Sequence, residues 1–235
     1  MTSRRLIALE TSGRSASVAL ATLSEDGRLA DVHQRDLSQT GRRHARTLVP
    51  ELQSLLSEHG FAPADCEAVA VTLGPGSFTG LRVGVACAKT LAWAAGLKIV
   101  GVGTLEVIAR QSNASDAVVL ANAEREQLFV ATLSGGRLGP RTIEDEDALF
   151  ARLPADAVLT GVVPPAVRER NAGRNWLSPE RGHPQAATLV ALAAEALAAG
   201  RTDDPYTLLP DYGRLSAAEE QRAEKMRQAE QQAAQ

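Results

Sequence analysis

With 235 residues, 44% hydrophobic, the chain can bury a core in one large domain or two small lobes, which excludes global disorder. A net charge of −3 and only 3% aromatic residues argue against a broadly basic, duplex-coating protein and leave few stacking groups for single-stranded nucleic acid. Two cysteines, Cys66 and Cys87, exclude a disulfide framework and a four-cysteine zinc site, and fit reduced thiols in a cytoplasmic protein.

In chain order, Leu6–Glu10 is a short apolar strand, and Ser15–Leu23 alternates with Ala16, Val18 and Leu20 on one face. Glu25-Asp26-Gly27 marks a hairpin turn into a third strand, Arg28–Arg35. Leu48, Leu52, Leu55 and Leu56 form the apolar stripe of a helix over residues 42–59, closed by Gly60 and carrying Pro50 near its start. Glu67–Leu73 reads as a buried strand, Gly80–Ala95 as a helix ended by Gly96, Lys98–Val102 as a strand, and Thr104–Gln111 as a helix with Thr104 as N-cap. The order β-β-β-α-β-α-β-α is that of a ribonuclease-H-like lobe: a mixed sheet with helices packed on it.

A second, reduced lobe is expected over residues 113–215, after a first lobe spanning 1–112. Ala117–Ala121, Gln127–Leu133 and Ala157–Thr160 read as strands, Glu144–Arg152 as an acidic helix, and Ala186–Ala199 as an Ala/Leu helix. Residues 164–184 lack periodicity. Residues 216–235 hold no Gly or Pro and almost no apolar face, so a polar helical tail is expected there, removable at little cost to stability.

The richest stretch is Gly74-Pro75-Gly76-Ser77-Phe78-Thr79-Gly80-Leu81-Arg82, between a strand and a helix. Its glycines allow tight turning and close backbone approach, and N–H groups opening a helix can bind an anion. No Lys-Ser or Lys-Thr follows, so it is not a P-loop, and its spacing is not that of a dinucleotide fold. Glu10, Thr11 and Ser12 close the first strand. Together with Gly74, Gly76, Ser77 and Gly80 they make a candidate site, read either as a structural or interface loop or as a vestigial phosphate site. The helix behind the loop is apolar nearly all round, apart from Arg82 and Lys89. The row Leu81, Val85, Ala88 and Ala92 is expected to face outward as a partner interface, its small residues permitting close helix approach.

His33, His44, His59 and His183 form no zinc-type pair, no metal ligands are assigned, and Ser77 lies in no nucleophile elbow, so no catalytic residue is named. Arg42, Arg43, His44 and Arg46 form a basic cluster before a helix.

Leu6–Ser12 with Ser17–Leu20, His44 with Leu48 and Pro50, the Gly74–Arg82 run and Gly101–Leu105 together resemble the TsaB (YeaZ) family. The resemblance is strong over residues 5–110 and thin beyond. It implies a two-lobed actin/Hsp70-like ATPase fold. It further implies a subunit without catalysis of its own, paired with a TsaD-type catalytic paralogue and a TsaE-type ATPase, with a homodimer as a further state. That system places a threonylcarbamoyl group on N6 of adenosine 37 in tRNAs reading ANN codons, so tRNA is met only through the complex, with ATP or ADP at the complex interface as candidate cofactor. Glu10 stands where the family has Asp, and Asn122-Ala123-Glu124-Arg125 where it has an Asp-Ala-Arg-type segment. The alternative is a small-molecule kinase or hydrolase of the same fold, which calls for a second glycine-rich phosphate loop and an acid at the start of the second lobe.

Overall fold

The computed structural model describes residues 4–13, 15–37 and 44–214; the polar tail and Arg42 and Arg43 of the basic cluster lie outside them. The first sheet holds β1 (Arg4–Glu10), β2 (Ser17–Leu23), β3 (Leu29–Asp36), β4 (Ala68–Gly74) and β5 (Lys98–Gly103) in the order β3-β2-β1-β4-β5. The β1–β2 and β2–β3 pairs are antiparallel; β1–β4 and β4–β5 are parallel. Helices α1 (His44–Glu58) and α2 (Phe78–Ala95) fall at the crossovers, and α3 (Thr104–Ser112) leads from β5 to the second sheet. Gly103 takes the N-cap of α3 in extended backbone, and Thr104, expected there, is the first helical residue with its Oγ1 buried and unpartnered.

Alternation along the strands sorts the first lobe into two cores. Ile7, Leu9, Val18, Leu20, Val69 and Val71 pack with α1 and α2. The intervening, smaller Leu6, Ala8, Ala19, Ala21, Ala68 and Ala70 pack on the other face. Cys66 borders the first of these, and burial pushes its thiol up to about 11, which leaves it unreactive.

The second sheet is built from β6 (Ala117–Asn122), β7 (Gln127–Ser134), β8 (Arg137–Leu138), β9 (Thr142–Asp145), β10 (Val158–Val162) and β11 (Asn175–Trp176). Its order β8-β7-β6-β10-β11, two antiparallel pairs then two parallel ones, repeats that of the first sheet strand for strand; β9 adds to β7. This is the two-lobed actin/Hsp70-like architecture with a reduced second lobe. The acidic helix begins later than its sequence suggests. Glu144 lies in β9, and Asp145 caps α4 (Glu146–Arg152) by accepting from Asp147 N and Ala148 N at 3.1 and 3.2 Å. Short helices α5 (Pro165–Arg170) and α6 (Pro179–Gly182) fill the aperiodic stretch.

The lobes are not consecutive in sequence, which corrects the expected boundary of 113–215. Helix α7 (Ala186–Ala198) returns to the first lobe and covers its alanine-rich face through Ala186, Leu189, Val190 and Ala193. Side chains of β2 and β3 satisfy its first N–H groups: Ala186 N donates to Ser17 Oγ at 3.0 Å, and Ala187 N to Gln34 Oε1 at 2.9 Å. Residues 203–214 then run as a strap across both lobes. Asp203 bridges to Ile99 beside β5, Leu208 enters the first core, and Asp211 N donates to Leu73 O at 2.7 Å. Beyond that point Asp211 pairs with Arg141, and Arg214 reaches Gln127 of β7.

Candidate functional site

The end of β1 and the glycine loop come together as the sequence suggests, but they fill one another. Glu10 is fully buried. Its Oε1 accepts from Ser12 N at 2.8 Å and Ser12 Oγ at 2.6 Å, while Oε2 has no partner. Burial raises its pKa to about 7 against the opposing hydrogen bonds of Ser12. Ser77 N donates to Ser12 O at 2.7 Å, and Thr11 Oγ1 to Gly80 O at 2.8 Å. A Cβ on Gly76 would stand 2.4 Å from Ser12 O, one on Gly80 2.0 Å from Thr11 O, and one on Gly74 2.0 Å from Asp211 O of the strap. The loop therefore closes on the chain's own backbone. Gly80 N and Leu81 N are likewise spent, on Ser77 Oγ and Ser77 O. In the second lobe Asn122 serves a local turn, its Oδ1 accepting from Glu124 N at 3.0 Å.

The row Leu81, Val85, Ala88 and Ala92 faces inward, which corrects the expected interface: all four are buried, and Val85, Ala88 and Ala92 join the core against the first sheet. Small residues on this helix serve approach to its own sheet. At Gly84, a Cβ would meet Thr11 Oγ1 at 2.2 Å. The outward face of α2 carries Thr79, Ala86, Thr90, Trp93 and Ala94. Trp93 is 74% exposed, and Val49 of α1 is 56% exposed. Between the two helices runs an apolar groove of about 320 Å³ lined by Val49, Leu52, Leu56, Phe61 and Leu91. Sequence reading missed Trp93; the signal was a large aromatic on a helix of small residues, about 100° round the helix from the row chosen.

A second concavity of about 990 Å³ opens where α2, the β8–β9 connection and the strap meet. Arg82 lies flat on Phe78, its guanidinium 4.0 Å from the ring centre, and its Nε donates to Tyr212 Oη at 2.9 Å. Arg141 holds Asp211 in a two-pronged pair at 2.7 and 3.2 Å, which keeps that carboxyl below its usual range. Among the described residues no cluster of three or more His, Cys, Asp or Glu side chains could hold a metal, and no helix is long and apolar enough to cross a membrane.

Residues 36–149 match the family model of TsaD, tRNA N6-adenosine threonylcarbamoyltransferase. Over 229 residues the chain is 28% identical to the tRNA threonylcarbamoyladenosine biosynthesis protein TsaB of Bacillus subtilis (strain 168), covering 91% of this chain and 96% of that one. It is 30% identical to Escherichia coli (strain K12) TsaB over 170 residues, 71% of this chain and 65% of that one. Among solved structures, YeaZ from Pseudomonas aeruginosa superposes with a TM-score of 0.72 at 26% identity, covering 88% of this chain and 98% of that one.

Proposed function

The chain belongs to the TsaB (YeaZ) family and acts in tRNA threonylcarbamoyladenosine biosynthesis, and from this premise we propose that it is the non-catalytic partner of a TsaD-type subunit. In this reading the complex, joined by a TsaE-type ATPase, modifies N6 of adenosine 37 in tRNAs reading ANN codons. ATP or ADP would sit at the complex interface, since the chain's own glycine loop is filled. The observation that carries the partner role is exposed apolar surface on both helices: Trp93 of α2 stands 74% exposed and Val49 of α1 56% exposed, and an apolar groove opens between α1 and α2. A large exposed aromatic is the composition of an interface hot spot. A second copy of the chain could use the same face.

The test is co-purification from the native host with the TsaD-type subunit, repeated with Trp93→Glu. Position 93 is in solvent, so the variant should keep its circular dichroism and melting profile. A charge buried in the interface costs about 2–5 kcal/mol, so pairing should weaken at least about 30-fold. Unchanged pairing would move the interface elsewhere.

A further inference from the structure

We propose that the concavity between α2, the β8–β9 connection and the strap is an RNA contact of this chain's own, taking the phosphodiester backbone and a base of the tRNA substrate; the choice of RNA rests on the functional reading above. Three arginines from three separate segments, Arg82, Arg141 and Arg214, line it. Its one carboxylate, Asp211, is neutralised by Arg141. Arg82 and Arg214 face no carboxylate among the described residues, so the lining keeps an excess of two positive charges. Arg214 donates to the neutral Gln127 side chain, and its Nε–H is buried without a partner. This local sign is opposite to the net charge of −3 of the whole chain. At physiological salt the screening length is about 8 Å, so a phosphate in the concavity responds to the arginines around it more than to distant carboxylates.

The chemistry of the lining selects the occupant. Phe78, 49% exposed, and Tyr212 lie with ring centres 4.6 Å apart, with the Arg82 guanidinium over them. A chain so poor in aromatics has placed two of them where a flat base can stack, and a guanidinium plane adds a second stacking surface. A free polyphosphate would call for a cradle of backbone N–H groups. Three N–H groups of the neighbouring loop are spent: Ser77 N on Ser12 O, Gly80 N on Ser77 Oγ and Leu81 N on Ser77 O. What remains is side-chain guanidinium spread over both lobes, an arrangement suited to successive phosphodiesters of a strand.

The test uses the full chain and a fluorescently labelled, unmodified tRNA transcript bearing adenosine 37, with anisotropy measured over a salt series. Wild type should bind at micromolar concentrations. Arg82→Gln combined with Arg214→Gln should weaken binding about tenfold or more and lower the slope of log affinity against log salt by about 1.4, the value for two single-strand phosphate contacts. Should the double variant unfold, Arg82→Gln alone, at an exposed position, should give about half that slope change. Trp93→Glu should bind RNA as wild type does while losing the protein partner, so failure of this inference and failure of the partner reading are separable. The inference is overturned by no wild-type binding in the tens of micromolar, by variants that bind equally with an unchanged slope, or by displacement of the RNA by equimolar ATP, which would mark a mononucleotide site.

Discussion

Glu10 is a carboxyl folded into a place where its charge is unwelcome. Its pKa, near 7 when folded, lies above its unfolded value, so the unfolded state gives up the proton first. Stability drawn from this group is therefore present at low pH and lost as pH rises from about 4.5 through 7. Glu10→Gln keeps an oxygen for Ser12 and removes the charge. Urea titrations should show the variant gaining on wild type by about 1–3 kcal/mol at pH 8 and little at pH 5; a difference independent of pH would show that the carboxyl is not the source. Gly80 poses an opposite contest. Alanine there would gain about 1 kcal/mol in helix propensity. Its Cβ would stand 2.0 Å from Thr11 O, a main-chain atom that cannot swing away. Overpacking should win, and Gly80→Ala should lower stability by a net 1–3 kcal/mol or so in the same assay. The structure sets Thr11 and Ser12 against the glycine loop. Whether glycines spare room for a ligand or for the chain itself is a matter of tertiary distance, which local pattern does not encode.

Helix α2 shows where periodicity stops informing. Its extent was readable to within two residues from the Gly96 stop and the apolar run. Its orientation was not, because a helix apolar nearly all round gives no direction for the sheet. Lys89, read as part of an isolated polar stripe, reaches the strap and donates to Leu208 O at 3.0 Å. The inward row makes a sharp prediction. Ala88 is wholly buried, so Ala88→Arg should abolish cooperative folding, seen as loss of the thermal transition by circular dichroism. A folded Ala88→Arg protein would mean the helix can turn its other face to the sheet. Histidines tell a similar story. No spacing joins His33 to His59, yet β3 and the end of α1 bring their rings to 3.9 Å.

Across the whole molecule, the first lobe's strand and helix order followed from alternation and turn residues, because its elements are long and cleanly bounded. Less could be read in the second lobe, whose β8 and β11 are two residues each and give no period to detect. The return of α7 was hidden for another reason: an Ala/Leu helix fits either sheet, and the deciding contacts, Ser17 and Gln34 to its first N–H groups, lie more than 150 residues away. The strap beyond it should matter to stability. A chain ending at residue 202 loses the buried Leu208, the Asp203 bridge and the Asp211 pair. Burial of one Leu alone contributes about 2 kcal/mol. Differential scanning calorimetry should show a melting point lower by several degrees, and an unchanged melting point would mean the strap rests on the lobes without holding them.

The helix that closes the first lobe is encoded after almost the whole of the second. A nascent chain leaving the ribosome thus exposes five strands whose alanine-rich face has little cover beyond Val107 of α3 until about residue 198 has been made. Domains synthesised in order can fold in order, but here the earlier unit waits for the later one. Translation products cut short anywhere before α7 would carry a bare sheet face, sticky and protease-sensitive, so messages truncated late in the reading frame should yield insoluble protein as surely as those truncated early.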